Sequence, residues 1–271
     1  MREVTEAARM LAEARRTARP VPAGVAAAAE SLEAGYALQR AVHAVLAATE
    51  FGPVVGYKIG CTTPVMQRLL GIDHPCAGGI FAATVWPSGA TVDRRRFVRP
   101  GVECEIAVRL GAALDARARP VDRAAAARAV ASYHAAVEIV DDRYEAGSRP
   151  PVGLLVADDF YGAGAVIGPP VTDVDPAALA SVTAVLLVDG RPVGQGRGAD
   201  VLGHPLEALV WLARQAATQD AMLPAGTLVL LGSLVAVHWL EPHEQTVEVA
   251  NDRLGRVTVR FTADDPTAAT P

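Results

Sequence analysis

The stretch Gly101-Val102-Glu103-Cys104-Glu105-Ile106-Ala107-Val108 alternates apolar and acidic positions with a period of two, a pattern that an extended strand sorts onto two faces. Val102, Cys104, Ile106 and Val108 fall on one face, and Glu103, Glu105 and Ala107 on the other. Positions i and i+2 of a strand lie roughly 7 Å apart on the same side, so the two carboxylates can converge on one point. Like charges held so close repel unless positive charge sits between them, and a hard divalent cation supplies it. An isolated E-x-E is also what an amphipathic strand with a solvated face looks like.

Other parts of the chain bear on that choice. In Ala135-Ala136-Val137-Glu138-Ile139-Val140, Glu138 is the only charge in an apolar run that reads as a strand buried on both faces. An unpaired buried carboxylate is expensive, so it calls for a cation, a hydrogen-bond cage or a raised pKa. Lys and Arg together number 25, and Lys58 is the one lysine among them. It stands in Val54-Val55-Gly56-Tyr57-Lys58-Ile59-Gly60, on a strand face shared with Val54, Gly56 and Gly60. Lysine, unlike arginine, can shed its proton in a desolvated site and so act as acid or base. Glu103, Glu105 and Glu138 could supply three oxygens to an octahedral Mg²⁺ or Mn²⁺, leaving room for water and a chelating 2-oxo acid.

Composition narrows the field. A chain of 271 residues, 51% hydrophobic, can bury a sizeable core in one domain with a small appendage. Its apolar runs are too short to span a bilayer, which predicts no membrane association. The net charge of −5, with no basic stripe interleaved with aromatics, argues against nucleic acid as a partner. Arg94, Arg95, Arg96 and Arg99 read as a solvated strand edge. Cys61, Cys76 and Cys104 are odd in number and lack a C-x-x-C spacing, which points to a reducing compartment and the cytoplasm. The Arg-rich N-terminus carries Glu3, Glu6 and Glu13 and no serine before Pro22, so it reads as an amphipathic helix rather than a transit peptide.

In chain order, residues 3–18 and 30–49 read as helices, giving a helical N-terminal region over 1–50. From 51 to 265 the text is dominated by strands and turns, with a frayed tail at 266–271 and fraying expected from Thr262 onward. Helices are expected at 63–70, 122–134 and 205–217, and strands at 80–85, 164–168, 183–188, 227–235, 245–250 and 255–261. His204 before Pro205 reads as a helix cap. Gly194, Gly196 and Gly198 make G-x-G-x-G rather than a dinucleotide fingerprint. Neither G-x-S-x-G nor H-E-x-x-H occurs.

Five segments carry a family resemblance: Tyr57-Lys58-Ile59-Gly60-Cys61-Thr62, Leu70-Gly71-Ile72-Asp73-His74-Pro75, Glu103-Cys104-Glu105-Ile106-Ala107, Glu138 to Tyr144, and Leu202-Gly203-His204-Pro205-Leu206. In this order they resemble the hydratase/decarboxylase branch of the fumarylacetoacetate hydrolase superfamily, the 2-keto-4-pentenoate hydratases and 4-oxalocrotonate decarboxylases. The resemblance implies an α+β fold, a curved mixed β-sheet roll carrying the site beside the helical N-terminal region. It implies Lys58 as catalytic acid/base, Glu103, Glu105 and Glu138 as ligands of Mg²⁺ or Mn²⁺, and substrate contacts from Cys76, Asp159, Tyr161 and Ser233. It also implies a homo-oligomer, and association with a related hydratase or decarboxylase.

Departures from the family pattern bear on the activity. Family hydratases have an aspartate where this chain has Cys76, and a small hydroxyl-bearing wall where it has Phe160-Tyr161. A thiol does not replace a carboxylate at neutral pH unless its pKa is strongly lowered. The expected function is therefore a metal-dependent lyase acting on a 2-oxo or 2-hydroxydienoic acid through a metal-bound enolate, leaning to 4-oxalocrotonate-type decarboxylation. The alternatives are a 2-keto-4-pentenoate-type hydratase, a diverged member acting on a larger apolar substrate, and a catalytically silent partner subunit.

Overall fold

The computed structural model describes residues 2–262. The chain opens with α1 (Arg2–Arg16) and α2 (Leu32–Ala47), the latter capped by Ser31, whose side chain accepts from the Ala34 amide. Next come β1 (Val54–Gly60), α3 (Pro64–Leu70), β2 (Cys76–Phe81), β3 (Val85–Pro87), β4 (Ala90–Val92), β5 (Pro100–Leu110), α4 (Arg123–Ala129) and β6 (Val130–Asp141). The remainder is α5 (Val152–Ala157), β7 (Gly162–Ile167), β8 (Thr183–Val188), β9 (Arg191–Arg197), α6 (Pro205–Thr218), β10 (Leu228–Ser233), β11 (His238–Trp239), β12 (Thr246–Asn251) and β13 (Gly255–Phe261).

Among the described residues the strands form two mixed sheets. The larger runs β2-β1-β10-β5-β6-β7-β3, with β11 added to the first residues of β5, and the smaller runs β4-β13-β12-β8-β9. β1 and β10 are parallel, while β10, β5, β6 and β7 are antiparallel in succession. The period-two reading of the acidic strand holds. Val102, Cys104, Ile106 and Val108 enter the main core with Val137 and Ile139 of β6, Leu206 and Leu209 of α6, and Leu186, Val249 and Val257 of the smaller sheet. The opposite face is covered too, by a cluster that includes Ile80, Ala107, Ala136, Ala165 and Leu230. Glu103, Glu105, Glu138 and Lys58 lie on this second face, which explains why most of their surroundings are apolar.

The first two helices do not stand apart from the sheets. Leu11 of α1 and Leu38, Val42 and Leu46 of α2 share one cluster with Phe81 of β2 and Leu154 and Ala157 of α5.

Several boundaries differ from the sequence expectation. The helix expected to reach His134 stops at Ala129, because Tyr133 and His134 pair with Val108 and Ala107 and continue the ladder of β5. The strand expected from Ile80 starts at Cys76, which lies opposite Gly60 and lets β2 track β1 along its length. Arg94–Arg96 is a turn of 3₁₀ helix rather than a strand edge; Arg95, Arg96 and Arg99 are exposed as expected, but Arg94 is buried, donating to the carbonyls of Leu240 and Glu244. Thr262 does not fray: its amide donates to Val92 O. The expected tail at 266–271 lies outside the described residues. No helix among the described residues is long and apolar enough to cross a membrane.

Candidate metal centre and cavity

Three carboxylates converge where β5 meets β6. Glu103 and Glu138 are opposite one another in the ladder, and Glu105 lies two residues further along β5. One oxygen from each comes within 4.8 Å of the others. Glu105 and Glu138 are buried, while Glu103 is partly exposed on the wall of an open cavity.

Lys58 reaches the group from β1, which β10 separates from β5. Its Nζ lies 3.1 Å from Glu138 Oε1 and donates to the carbonyl of Phe160 at 2.7 Å. The glycine beside it on the same strand face, Gly60, makes room for Phe160: a Cβ there would come within 2.9 Å of the ring.

The carboxylates outnumber the positive charge. Glu105 Oε2 accepts from the Gly232 amide at 2.9 Å, but Glu105 Oε1 and Glu138 Oε2 are buried without a hydrogen-bond partner. Burial, and then repulsion from Glu138, push the Glu103 carboxyl up to about 7. Burial and both neighbouring carboxylates push Glu105 well above the usual range. Burial opposes the charge on Lys58, but Glu138, Glu103 and Glu105 outweigh it and raise its pKa, so the amine stays protonated. Orphaned oxygens, three converging acids and one ammonium form a donor set suited to a hard divalent cation.

The Gly232 amide is aimed by a break in β10. The register with β5 shifts between Leu230 and Ser233, and Gly232 has φ +118°. A Cβ at this position would come within 2.6 Å of the Thr62 side chain, so both backbone conformation and space require glycine.

The cavity of about 660 Å³ is bordered by Lys58 and Glu103 at its head. Phe160, Tyr161 and Trp239 make an aromatic side, with Phe160–Tyr161 and Tyr161–Trp239 ring centroids 6.1 and 6.4 Å apart. Of the substrate contacts expected from the sequence, Tyr161 and Ser233 line this cavity. The Ser233 hydroxyl is already committed, donating to Val235 O at 2.7 Å.

Cys76 and Asp159 do not line it. Cys76 is wholly buried behind Cys61, and its hydrogen bond with Cys61, then burial, push its thiol far up. Asp159 is wholly buried beneath the wall: it pairs with Arg15 and with His43 Nε2, at 2.7 Å, and accepts from the Gly79 amide. Expected as a substrate contact, Asp159 is instead an anchor for the turn that carries Phe160 and Tyr161. Residues 159–161 all have positive φ, and Arg15 also donates to Gly162 O across that turn.

Sequence reasoning missed Arg15, Gly232 and Trp239. Arg15 carried a usable signal, a charge in register with Ala8, Leu11 and Ala12 on the apolar face of its helix. Trp239, in a two-residue strand, carried none.

The family model for the fumarylacetoacetate (FAA) hydrolase C-terminal region matches residues 77–262, most of the chain. The chain belongs to the fumarylacetoacetate hydrolase family. It is 36% identical over 193 residues to a 4-oxalocrotonate decarboxylase of a Pseudomonas species, covering 69% of this chain and 71% of that one. It is 35% identical over 233 residues to a 2-keto-4-pentenoate hydratase of Burkholderia vietnamiensis, covering 84% and 85%. Among solved structures it resembles 4-oxalocrotonate decarboxylase from Pseudomonas putida G7 complexed with magnesium and adipate, with TM-score 0.88, 26% identity, and coverage of 96% of this chain and 98% of that one. The expected α+β roll of the hydratase/decarboxylase branch is thus the fold observed.

Proposed function

We propose that this chain is a divalent-metal-dependent lyase acting on a 2-oxo or 2-hydroxydienoic acid, with decarboxylation of the 4-oxalocrotonate type as its reaction. The convergence of the Glu103, Glu105 and Glu138 carboxylates around orphaned oxygens carries this reading. These three residues would hold Mg²⁺ or Mn²⁺; the related decarboxylase from Pseudomonas putida G7 was solved with magnesium and with calcium. A bound cation supplies positive charge to a keto oxygen as negative charge develops on it.

The chain's own residues supply the rest. Glu105 is oriented by the Gly232 amide, and Glu138 by Lys58. Lys58 Nζ is held protonated at the head of the cavity, where it can hand a proton to the carbon left electron-rich when carbon dioxide departs. Phe160 and Trp239 give the cavity an apolar wall beside this head.

Decarboxylation needs this one acid, whereas hydration also needs a base to activate water. Cys76, where family hydratases carry an aspartate, is off the wall with a strongly raised thiol pKa, so it does not supply that base. This favours decarboxylase over hydratase. A homo-oligomer, association with a related hydratase or decarboxylase, and a cytoplasmic setting complete the reading.

The test supplies 4-oxalocrotonate and 2-hydroxypenta-2,4-dienoate in turn to the Mg²⁺-loaded protein and follows carbon dioxide release against loss of diene absorbance. Carbon dioxide from the first substrate and no diene loss from the second is the expected result; the reverse makes the protein a hydratase. Glu105→Ala should abolish turnover with the fold retained, and no metal binding by the parent protein would favour a silent subunit.

A further inference from the structure

The cavity continues well past the head formed by Lys58 and the three carboxylates. Its volume of about 660 Å³ lies in the range, roughly 300–1,000 Å³, that encloses a drug-sized molecule. Leu234, Val235 and Val237 stand among its lining residues together with Phe160, Tyr161 and Trp239. Met66 of α3 also borders it, next to Val65 and Leu69, which are 65% and 70% exposed. Hydrocarbon therefore continues from the interior towards the rim.

Charge is distributed unevenly along this space. Among the described lining residues Lys58 is the only cation, and it is engaged by Glu138 and Phe160 O. Away from the carboxylate cluster and the aromatic side, the other titratable side chains are the Cys61 thiol and Asp200, and neither is a cation. Two arginines near the wall are already paired: Arg99 lies over the Trp239 ring at 4.9 Å and pairs with Asp142, and Arg197 pairs with Asp200. A carboxylate resident at the far end would be desolvated among apolar groups with no free cation. A carboxylate lost as carbon dioxide pays this cost on binding and recovers it as it departs, whereas one that stays through turnover does not.

We propose that the substrate carries, besides the 2-oxo acid head and the carboxylate to be lost, a bulky, uncharged apolar substituent, aromatic or branched aliphatic, seated between the Phe160–Tyr161–Trp239 side and the Leu234–Val237 segment. This rests on the reading of the head as a 2-oxo acid site and adds the class of the tail. An aromatic tail meets the edge-to-face geometry already present between Tyr161 and Trp239. It gains affinity by removing apolar area from water, whereas a short tail leaves the space filled by solvent.

Calorimetric titration of the Mn²⁺-loaded protein with three non-reacting probes tests this: 2-oxobutanoate, 2-oxoadipate and 2-oxo-4-phenylbutanoate. The phenyl compound should bind at least about tenfold more tightly than either of the others. Equal affinities, or a preference for 2-oxoadipate, overturn the assignment of the tail while leaving the head intact. Failure of all three to bind overturns the 2-oxo acid reading and this inference with it. Val237→Asp, with folding checked by circular dichroism, should cut the advantage of the phenyl compound at least about tenfold; an undiminished advantage would place the tail elsewhere and also overturn the proposal.

Discussion

Glu103 and Glu138 face one another directly across the antiparallel pair β5/β6, and the only basic side chain ion-paired with either among the described residues is Lys58, 3.1 Å from Glu138. Like charges opposed in a ladder are destabilising, so this arrangement costs stability that a bound cation returns. Glu103→Gln should raise the melting temperature of the metal-free protein by about 2 °C, corresponding to ~1 kcal/mol. The same substitution should abolish the further rise that Mn²⁺ produces in the parent protein. Thermal unfolding of both proteins with and without Mn²⁺ measures the two effects together.

Lys58→Met keeps the length of the side chain and removes its proton. Turnover should fall by a factor of about 10²–10⁴, the usual contribution of a general acid. Mn²⁺ binding, followed by titration, should persist because the three carboxylates are unchanged. Parent-level turnover in this variant would remove Lys58 from the chemistry.

At Gly232 a side chain has neither the backbone conformation nor the space, given φ +118° and Thr62 at 2.6 Å. Gly232→Ala should cost about 2 kcal/mol in denaturant unfolding. It should also weaken metal binding by loosening the amide that holds Glu105. Adding Thr62→Ala should recover part of the stability and not all of it, since the clash is relieved but the positive φ remains.

Asp159 makes stability depend on pH. Burial alone would raise its pKa, but His43, Arg15 and the Gly79 amide hold its carboxyl well below the usual range. The unfolded chain therefore takes up this proton first as pH falls. The contribution of Asp159 is complete above its unfolded pKa of about 3.9 and is lost progressively below it. Asp159→Asn should destabilise the protein by about 3 kcal/mol at neutral pH and flatten the fall in stability below pH ~4. Urea unfolding at a series of pH values checks both.

The two acidic strands were legible because each broke a local rule. Glu103 and Glu105 alternate with core residues, and Glu138 interrupts an apolar run, so the sequence alone marks them as costly. Lys58 was legible as the single lysine. Cys76 and Asp159 were misjudged because proximity to a motif does not say which way a side chain points. The partner that turns Asp159 inward, Arg15, is 144 positions away in the chain. The helix extended too far over 130–134 failed for a related reason: its short periodicity fits either state, and pairing with β5 decides it.

The turn at residues 159–161 presents the Phe160 carbonyl to Lys58 and two rings to the cavity, yet its tether is a guanidinium on the first helix of the chain. Damage to that helix, remote in sequence from the three converging glutamates, would then register as a chemical defect before it registered as an unfolded protein. The helix Arg2–Arg16 holds the workbench steady while other elements work on it.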